Sequence, residues 1–189
     1  MTEWADYALT APVMLVRDDE GGAVPVRTRV PFADWLGGAR LGGRAPTTAD
    51  LDYHLSTLFP PVRLRGFLEL RYLDATPQRW WPALAAVTAV LLDDPVAATT
   101  AAAATEPVAG HWARAARVGL ADPQLHRAAR ACLEVAAERA PAGLRAEVDA
   151  LAELVDRGGC PGDAVLDAAR AGGALAALHA AAHQPEEPT

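Results

Sequence analysis

Apolar residues follow a helical spacing through most of the chain after residue 79, and short polar loops interrupt the pattern. Apolar positions that recur every three or four residues predict amphipathic helices. Alanine is abundant in this part of the chain, and it is the strongest helix former. The predicted helices are 79–92, 95–104, 107–118, 122–139, 142–157, 162–171 and 173–182.

The chain before residue 79 shows shorter apolar runs that are typical of strands. The runs Val13 to Val16 and Val24 to Val30 predict two strands, and the acidic, glycine-containing residues 18–22 between them predict a hairpin turn. Residues 3–9 predict the end of a helix that precedes this hairpin. A short helix is predicted to begin at Phe32.

A further helix is predicted to begin after Thr47, which has Asp50 three residues later. This spacing is close to that of a capping box. Strands followed by a block of helices predict an α+β fold. We expect a strand-containing region over 1–78, a helical region over 79–183 and a disordered tail over 184–189.

The segment VRLRGFLELRYLD, residues 62–74, predicts one continuous strand over 62–73. Side chains alternate between the two faces of a strand. One face is apolar and carries Val62, Leu64, Gly66, Leu68, Leu70 and Tyr72. The other face carries Arg63, Arg65, Phe67, Glu69 and Arg71. The pattern therefore predicts a row of three guanidinium groups with one carboxylate among them.

This charged face has two interpretations. Polar side chains often cover the solvent side of an antiparallel sheet, in which case Glu69 only pairs with neighbouring arginines. Arginine without lysine instead favours a site for phosphate or carboxylate, because a guanidinium binds such groups through two hydrogen bonds. A carboxylate in a cationic row can also hold Mg²⁺ that bridges to phosphate. The pattern of residues leaves both interpretations open.

An excess of acidic residues limits the kinds of partner. Asp and Glu outnumber Lys and Arg by 24 to 17, and the formal net charge is -7. Binding of nucleic acid generally requires a basic surface, so we expect no nucleic-acid partner. No apolar run approaches the ~18 residues of a membrane helix, and the first residues lack the features of a signal peptide. We therefore expect a cytoplasmic protein with no membrane partner.

One segment resembles a known enzyme family. HLSTLFPPVRLRGFLELRYLD, residues 54–74, closely resembles a segment of the glutamate–cysteine ligases of plants and many bacteria. The resemblance extends over nearly the whole chain, and it is strongest to the actinobacterial branch that supplies γ-glutamylcysteine for ergothioneine synthesis. The other similar segments are WADYALTAPVMLVR at 4–17, VPFADWLGG at 30–38, PTTADLDYHL at 46–55 and RGGCPGD at 157–163.

The resemblance implies an ATP-dependent ligase with an antiparallel catalytic sheet like that of glutamine synthetase. ATP would phosphorylate the γ-carboxylate of glutamate, and the amine of cysteine would then displace phosphate. By this likeness Glu69 would bind Mg²⁺, and Arg71 would contact the transferred phosphate or a substrate carboxylate. Arg63 and Arg65 are candidates for binding nucleotide or substrate anions. His54 is a candidate for contact with substrate, and a structural histidine is the alternative.

Members of the family are considerably longer than this chain, so the resemblance implies that it corresponds to their C-terminal part. One glutamate does not make a Mg²⁺ site, and further ligands are expected from a missing N-terminal half, which a separate chain could supply. One alternative is a non-catalytic remnant, or an assembly or regulatory subunit of a split ligase. Another alternative is a ligase that joins glutamate to a different amine.

Overall fold

The computed structural model describes residues 2–18, 20–64 and 66–182. These residues form helices and two small antiparallel sheets, which confirms the predicted α+β class. The chain divides into two compact units, residues 1–73 and residues 74–189. The predicted tail over 184–189 lies outside the described residues.

Short helices alternate with hairpins in the first unit. Its elements are α1 (Thr2–Thr10), β1 (Leu15–Arg17), β2 (Ala23–Pro25), α2 (Phe32–Leu36), α3 (Thr48–Thr57), β3 (Val62–Leu64) and β4 (Leu68–Leu70). β1 pairs antiparallel with β2, and Val16 lies opposite Val24. Between them, the Asp18 carboxylate accepts the Gly22 N–H at 2.6 Å and stabilises the turn. The first predicted hairpin is therefore confirmed, with shorter strands than the pattern indicated.

Buried apolar side chains from β1, α2 and the adjoining loops form the core of the first unit. The buried members are Val13, Val16, Phe32, Trp35 and Leu41. Phe32 and Trp35 pack edge to face, with ring centroids 5.7 Å apart. Trp35 also donates from Nε1 to the Arg44 carbonyl oxygen at 2.9 Å, so its polar atom is paired inside the core. This hydrogen bond fixes the loop that leads into α3.

Helix α3 begins with the predicted capping arrangement. The Asp50 N–H donates to Thr47 Oγ1 at 3.2 Å, and the Thr47 N–H donates to the Asp50 carboxylate at 2.8 Å. Arg44 donates to both oxygens of the same carboxylate, at 2.5 and 2.7 Å. Asp50 can therefore be buried, because its charge is paired and both oxygens accept hydrogen bonds.

The predicted continuous strand over 62–73 is wrong, because the chain reverses within it. β3 and β4 pair antiparallel, with Val62 opposite Leu70 and Arg63 opposite Glu69. Gly66 lies in the reversal at a φ of 79°, which glycine adopts readily because it has no Cβ. A single strand would leave its backbone donors and acceptors without partners, and folding back pairs part of them. Each sheet in the described residues has two strands, so these residues alone do not form a larger catalytic sheet.

Helices make up the second unit. They are α4 (Trp81–Asp93), α5 (Pro95–Thr105), α6 (Trp112–Val118), α7 (Pro123–Arg139), α8 (Arg145–Asp156) and α9 (Asp163–Ala182). The predicted helix over 107–118 begins only at Trp112, after a 3-10 turn over Glu106–Val108. The last two predicted helices are joined in α9, which has a break at Gly173 with φ 80° and ψ -179°. The other helices lie close to their predicted positions.

Aspartates cap the helices that begin with proline. The Asp94 carboxylate accepts the backbone N–H of Ala97 at 2.9 Å, and this hydrogen bond holds the pKa of Asp94 below its ordinary value. Asp122 caps α7 in the same way and pairs with Arg114, which lowers the pKa of Asp122. Each carboxylate satisfies N–H groups that the helix leaves unpaired at its start.

The core of the second unit lies where α4, α7 and α8 meet. One buried cluster there consists of Trp80, Ala83, Leu133, Leu151 and Val155, and a second consists of Ala86, Ala136, Ala140 and Val148. Among the residues that the structure covers, no single helix has the length and apolar composition needed to cross a membrane. Residues 78–93 and 95–108 reach that composition only when counted together, and a bend of 96° separates them.

Candidate functional site

One face of the β3–β4 hairpin carries three of the residues that the sequence singles out. Arg63 and Glu69 lie directly opposite each other, and the Arg71 N–H continues the pairing by donating to the Pro61 carbonyl oxygen at 2.8 Å. Cross-strand partners share a face, and so do residues two positions apart on one strand. The hairpin therefore brings Arg63, Glu69 and Arg71 together, although the sequence predicted them on a single strand.

The three side chains form an ion-pair cluster with Glu69 between the two arginines. Arg63 Nη1 lies 3.6 Å from Glu69 Oε2, and Arg71 Nη1 lies 3.3 Å from Glu69 Oε1. The side chain of Glu69 is 36% exposed, whereas those of Arg63 and Arg71 are 13% and 25% exposed. A guanidinium has five N–H donors, so pairing with Glu69 leaves each arginine able to bind a second oxyanion.

The ring of Phe59 lies against both arginines. The Arg71 guanidinium carbon is 4.8 Å from the ring centroid, and that of Arg63 is 5.9 Å away. Both distances are within the range of cation–π attraction. Arg63 also donates from Nη2 to the Leu58 carbonyl oxygen at 2.8 Å. Together, Phe59, Arg63, Glu69 and Arg71 define the hairpin cluster.

Arg65 is the remaining predicted anion-binding arginine, and it lies outside the described residues. Its predicted role stays a prediction. Phe67, which the sequence placed on the same face, lies in the reversal between β3 and β4 and is 68% exposed.

His54 lies in the interior of the first unit rather than in the hairpin cluster. It is 1% exposed, its ring stacks on Phe32 with centroids 4.9 Å apart, and its Nε2 lies 2.9 Å from the Ala8 carbonyl oxygen. A carbonyl can only accept, so Nε2 carries the proton and donates. This is the environment of a packing histidine, which was the alternative interpretation. The predicted contact of His54 with substrate stays a prediction.

Phe59 is a member of the cluster that the sequence reasoning missed. The hydrophobic and charge pattern assigned no contact to Phe59, which two prolines follow. The signal in the sequence was an aromatic residue in a segment that two prolines make rigid. Two arginines, two positions apart, follow directly after this segment. Exposure of such a ring to water costs free energy, so a contact with a nearby guanidinium was a reasonable expectation.

The residues present do not by themselves fit a Mg²⁺ ion. The part of the chain that the structure describes contains no group of three or more His, Cys, Asp or Glu side chains placed to hold a metal. Mg²⁺ takes six oxygen ligands in octahedral geometry, commonly one or two carboxylates with phosphate and water. Glu69 offers one carboxylate, so it can supply one ligand of a site that other groups complete.

Comparison with known families gives one match over most of the chain. The sequence model of glutamate–cysteine ligase family 2 matches residues 1–181. No solved structure matches the chain.

Curated relatives that are named as glutamate–cysteine ligases also match this chain. The glutamate–cysteine ligase EgtA of Mycolicibacterium smegmatis is 56% identical over 178 residues, which is 94% of this chain and 42% of the relative. EgtA of Mycobacterium tuberculosis is 51% identical over 183 residues, or 96% of this chain and 42% of the relative. A chloroplastic glutamate–cysteine ligase of Brassica juncea is 36% identical over 94 residues, or 49% of this chain and 18% of the relative. The chain thus spans about two fifths of the length of the bacterial relatives.

Proposed function

This chain belongs to glutamate–cysteine ligase family 2, and we propose that it forms part of an ATP-dependent ligase that makes γ-glutamylcysteine. In this reaction the terminal phosphoryl group of ATP passes to the γ-carboxylate of glutamate and ADP leaves. The amine of cysteine then attacks the acyl phosphate, a C–N bond forms, and phosphate leaves with the C–O bond broken. The observation that carries the proposal is the grouping of Arg63, Glu69 and Arg71 on one face of a hairpin.

Two arginines are well suited to bind the anions of this reaction. Each can bind a phosphate or carboxylate through two parallel N–H···O bonds. We assign Arg71 to the transferred phosphate or to a substrate carboxylate, because it is partly exposed and held by Glu69 and Phe59. Arg63 is the more buried of the two, and we assign it to a nucleotide or substrate anion nearby. Fixed positive groups at the site of charge transfer stabilise the transition state.

Glu69 would have a second role in the complete enzyme, as one ligand of Mg²⁺. Such an ion neutralises charge on the phosphates. The other ligands would have to come from outside the described residues, since these hold no cluster of metal ligands. In this chain itself, Glu69 holds the two arginines together by pairing with both of them.

Reconstitution tests the proposal directly. We expect the purified chain alone to give no glutamate- and cysteine-dependent release of ADP, because its relatives are more than twice as long. Addition of the part of the M. smegmatis relative that lies outside the matched segment is expected to restore turnover. Replacing cysteine with other amines in the same assay tests the choice of acceptor. Failure of every combination of the two parts to turn over would overturn the proposal, provided that the parts associate.

The other side of the hairpin favours a second candidate function, that of an assembly module. Val62, Leu68 and Tyr72 are 37%, 56% and 50% exposed, and in the described residues each strand of this sheet is an edge strand. Exposed edges and apolar faces promote association. On this view the chain binds the remaining part of a ligase without contributing residues to catalysis. Association in sizing experiments, together with full turnover after loss of the Glu69 carboxylate, would favour this candidate.

A further inference from the structure

Phe59 is a large apolar side chain that stays 69% exposed, and its ring has charged neighbours on one side. The guanidinium groups of Arg63 and Arg71 both lie within 6 Å of its centroid. The same two groups bracket the Glu69 carboxylate. One ring and one carboxylate therefore contact the same pair of cations.

We propose that Phe59 is a positioning residue that holds Arg63 and Arg71 as a fixed pair able to bind one oxyanion. The proposal deepens the proposed function and rests on it only for the identity of the oxyanion, a nucleotide phosphate or the carboxylate of glutamate. The positioning itself concerns contacts within the first unit. Phe59 would act through the arginines and need not contact a substrate.

The backbone around Phe59 is suited to a fixed support. Leu58 before it and Pro60 after it are both buried, so the ring projects from an anchored segment. Proline at 60 and 61 also restricts φ at those positions and favours an extended conformation for the residue before each. Little conformational freedom has to be lost when the ring supports the arginines, because the segment is already constrained.

Charge provides the reason for a ring at this position. Two guanidinium groups near one carboxylate repel each other, and a single negative charge does not balance both. The face of an aromatic ring carries partial negative charge and attracts cations without adding a formal charge. Guanidinium groups also stack well on rings because they are planar and weakly hydrated. The ring thus stabilises the pair and leaves N–H donors available for an incoming oxyanion.

The two arginines depend on Phe59 to different degrees. Arg63 lies farther from the ring, at 5.9 Å, and also donates to the Leu58 carbonyl oxygen. Arg71 lies closer, at 4.8 Å, and its described side-chain hydrogen bond is to Glu69. Removal of the ring should therefore release Arg71 more than Arg63. A merely structural role for Phe59 would not produce this asymmetry.

Arginine side-chain NMR on the full chain tests the proposal. The Nε–Hε signals are assigned with Arg63→Lys and Arg71→Lys, and their ¹H–¹⁵N NOE values report the order of each guanidinium. In Phe59→Leu we expect the NOE of Arg71 to fall clearly and that of Arg63 to fall less, while Phe59→Tyr keeps both. Phe67→Leu is the matched control, because Phe67 is equally exposed on the same hairpin. Unchanged thermal unfolding of the variants shows that the fold is intact.

Binding of simple oxyanions provides the second readout. Inorganic pyrophosphate and glutamate are titrated separately, and Phe59→Leu is expected to weaken binding of the recognised anion by about three- to tenfold. Equal NOE values and equal affinities in Phe59→Leu and Phe67→Leu would overturn the positioning role. If neither anion binds the native chain but the NOE asymmetry is present, Phe59 does position the arginines. The part of the proposal that the fixed pair binds an oxyanion in this chain would then be overturned.

Discussion

Within residues 2–18, 20–64 and 66–73, which the structure describes, two clusters pair arginine with a carboxylate, and they differ in how exposed the carboxylate is to solvent. Asp50 is 6% exposed and accepts hydrogen bonds from Arg44 and from Thr47. Glu69 has a side chain that is 36% exposed and lies at longer distances, 3.3 and 3.6 Å, from its two arginines. The Asp50 cluster connects a loop to the start of a helix, whereas the Glu69 cluster lies on the face of a hairpin.

The difference shows that residue type alone does not identify a binding site. Both oxygens of Asp50 accept charge-assisted hydrogen bonds at 2.5–2.8 Å, so an outside ion would have to displace strong partners from a buried position. The Glu69 pairs are longer and solvent reaches the carboxylate, so replacing a partner costs less. We therefore expect the Asp50 cluster to determine stability and the Glu69 cluster to determine activity.

The largest expected effect is that of Glu69→Gln on catalysis. In the reconstituted ligase we expect kcat to fall at least about 100-fold, because the change removes the carboxylate that we propose as a Mg²⁺ ligand for phosphoryl transfer. Release of ADP dependent on glutamate and cysteine measures the effect. Asp52→Asn, an exposed carboxylate on α3, is the control and should leave kcat nearly unchanged. Near-normal kcat in Glu69→Gln would remove Glu69 from the chemistry.

The next largest effect is that of Asp50→Asn on stability. Loss of the charge weakens the pairing with Arg44 and the capping box, which should lower the free energy of unfolding by about 2–4 kcal/mol. Urea unfolding followed through the amide signals of α3 measures this change. The exposed Asp52→Asn on the same helix should cost no more than about 0.5 kcal/mol. Equal stability of the two variants would contradict a structural role for the Asp50 cluster.

Acid should reduce the contribution that Asp50 makes to the free energy of unfolding. Hydrogen bonds from Arg44, together with those from Thr47, hold the pKa of Asp50 well below its ordinary value of 3.8. A carboxylate with a lowered pKa in the folded state stabilises the fold above its ordinary pKa, and this contribution falls as the pH drops toward the folded pKa. The stability difference between the native chain and Asp50→Asn should be constant from pH 5 to 7 and shrink below about pH 4. A difference that grows in acid would contradict this assignment.

Much of the fold could be predicted because local signals agreed with it. The helices after residue 79 begin at Asp-Pro pairs and at loops that the sequence marks clearly, as at Asp94 and Asp122. Thr47 and Asp50 likewise identified the start of α3 from their spacing alone. The chain reversal at Gly66 could not be predicted in this way, since its apolar and charged residues alternate as in an unbroken strand.

The shared face of Arg63, Glu69 and Arg71 was predicted correctly, although the single strand was wrong, for a geometric reason. In the hairpin Arg63 lies opposite Glu69. Both residue numbers are odd, so the odd-numbered residues share one face of the hairpin, as they would share one face of a single strand. A pairing shifted by one residue would have placed the carboxylate on the apolar side. The contact of Phe59 with the arginines needed the structure, because no periodic pattern relates the end of a helix to the face of a later hairpin.

The smallest expected effect completes the comparison of the two clusters. Glu69→Gln should change the free energy of unfolding by no more than about 1 kcal/mol, because the exposed carboxylate is screened by solvent and its pairs are long. Urea unfolding on the same scale as Asp50→Asn measures it. Repulsion between Arg63 and Arg71 would add a small cost that salt reduces, so the difference should shrink at high ionic strength. If Glu69→Gln destabilised the fold as much as Asp50→Asn, the hairpin cluster would be a second structural pair, and its link to catalysis would have to be given up.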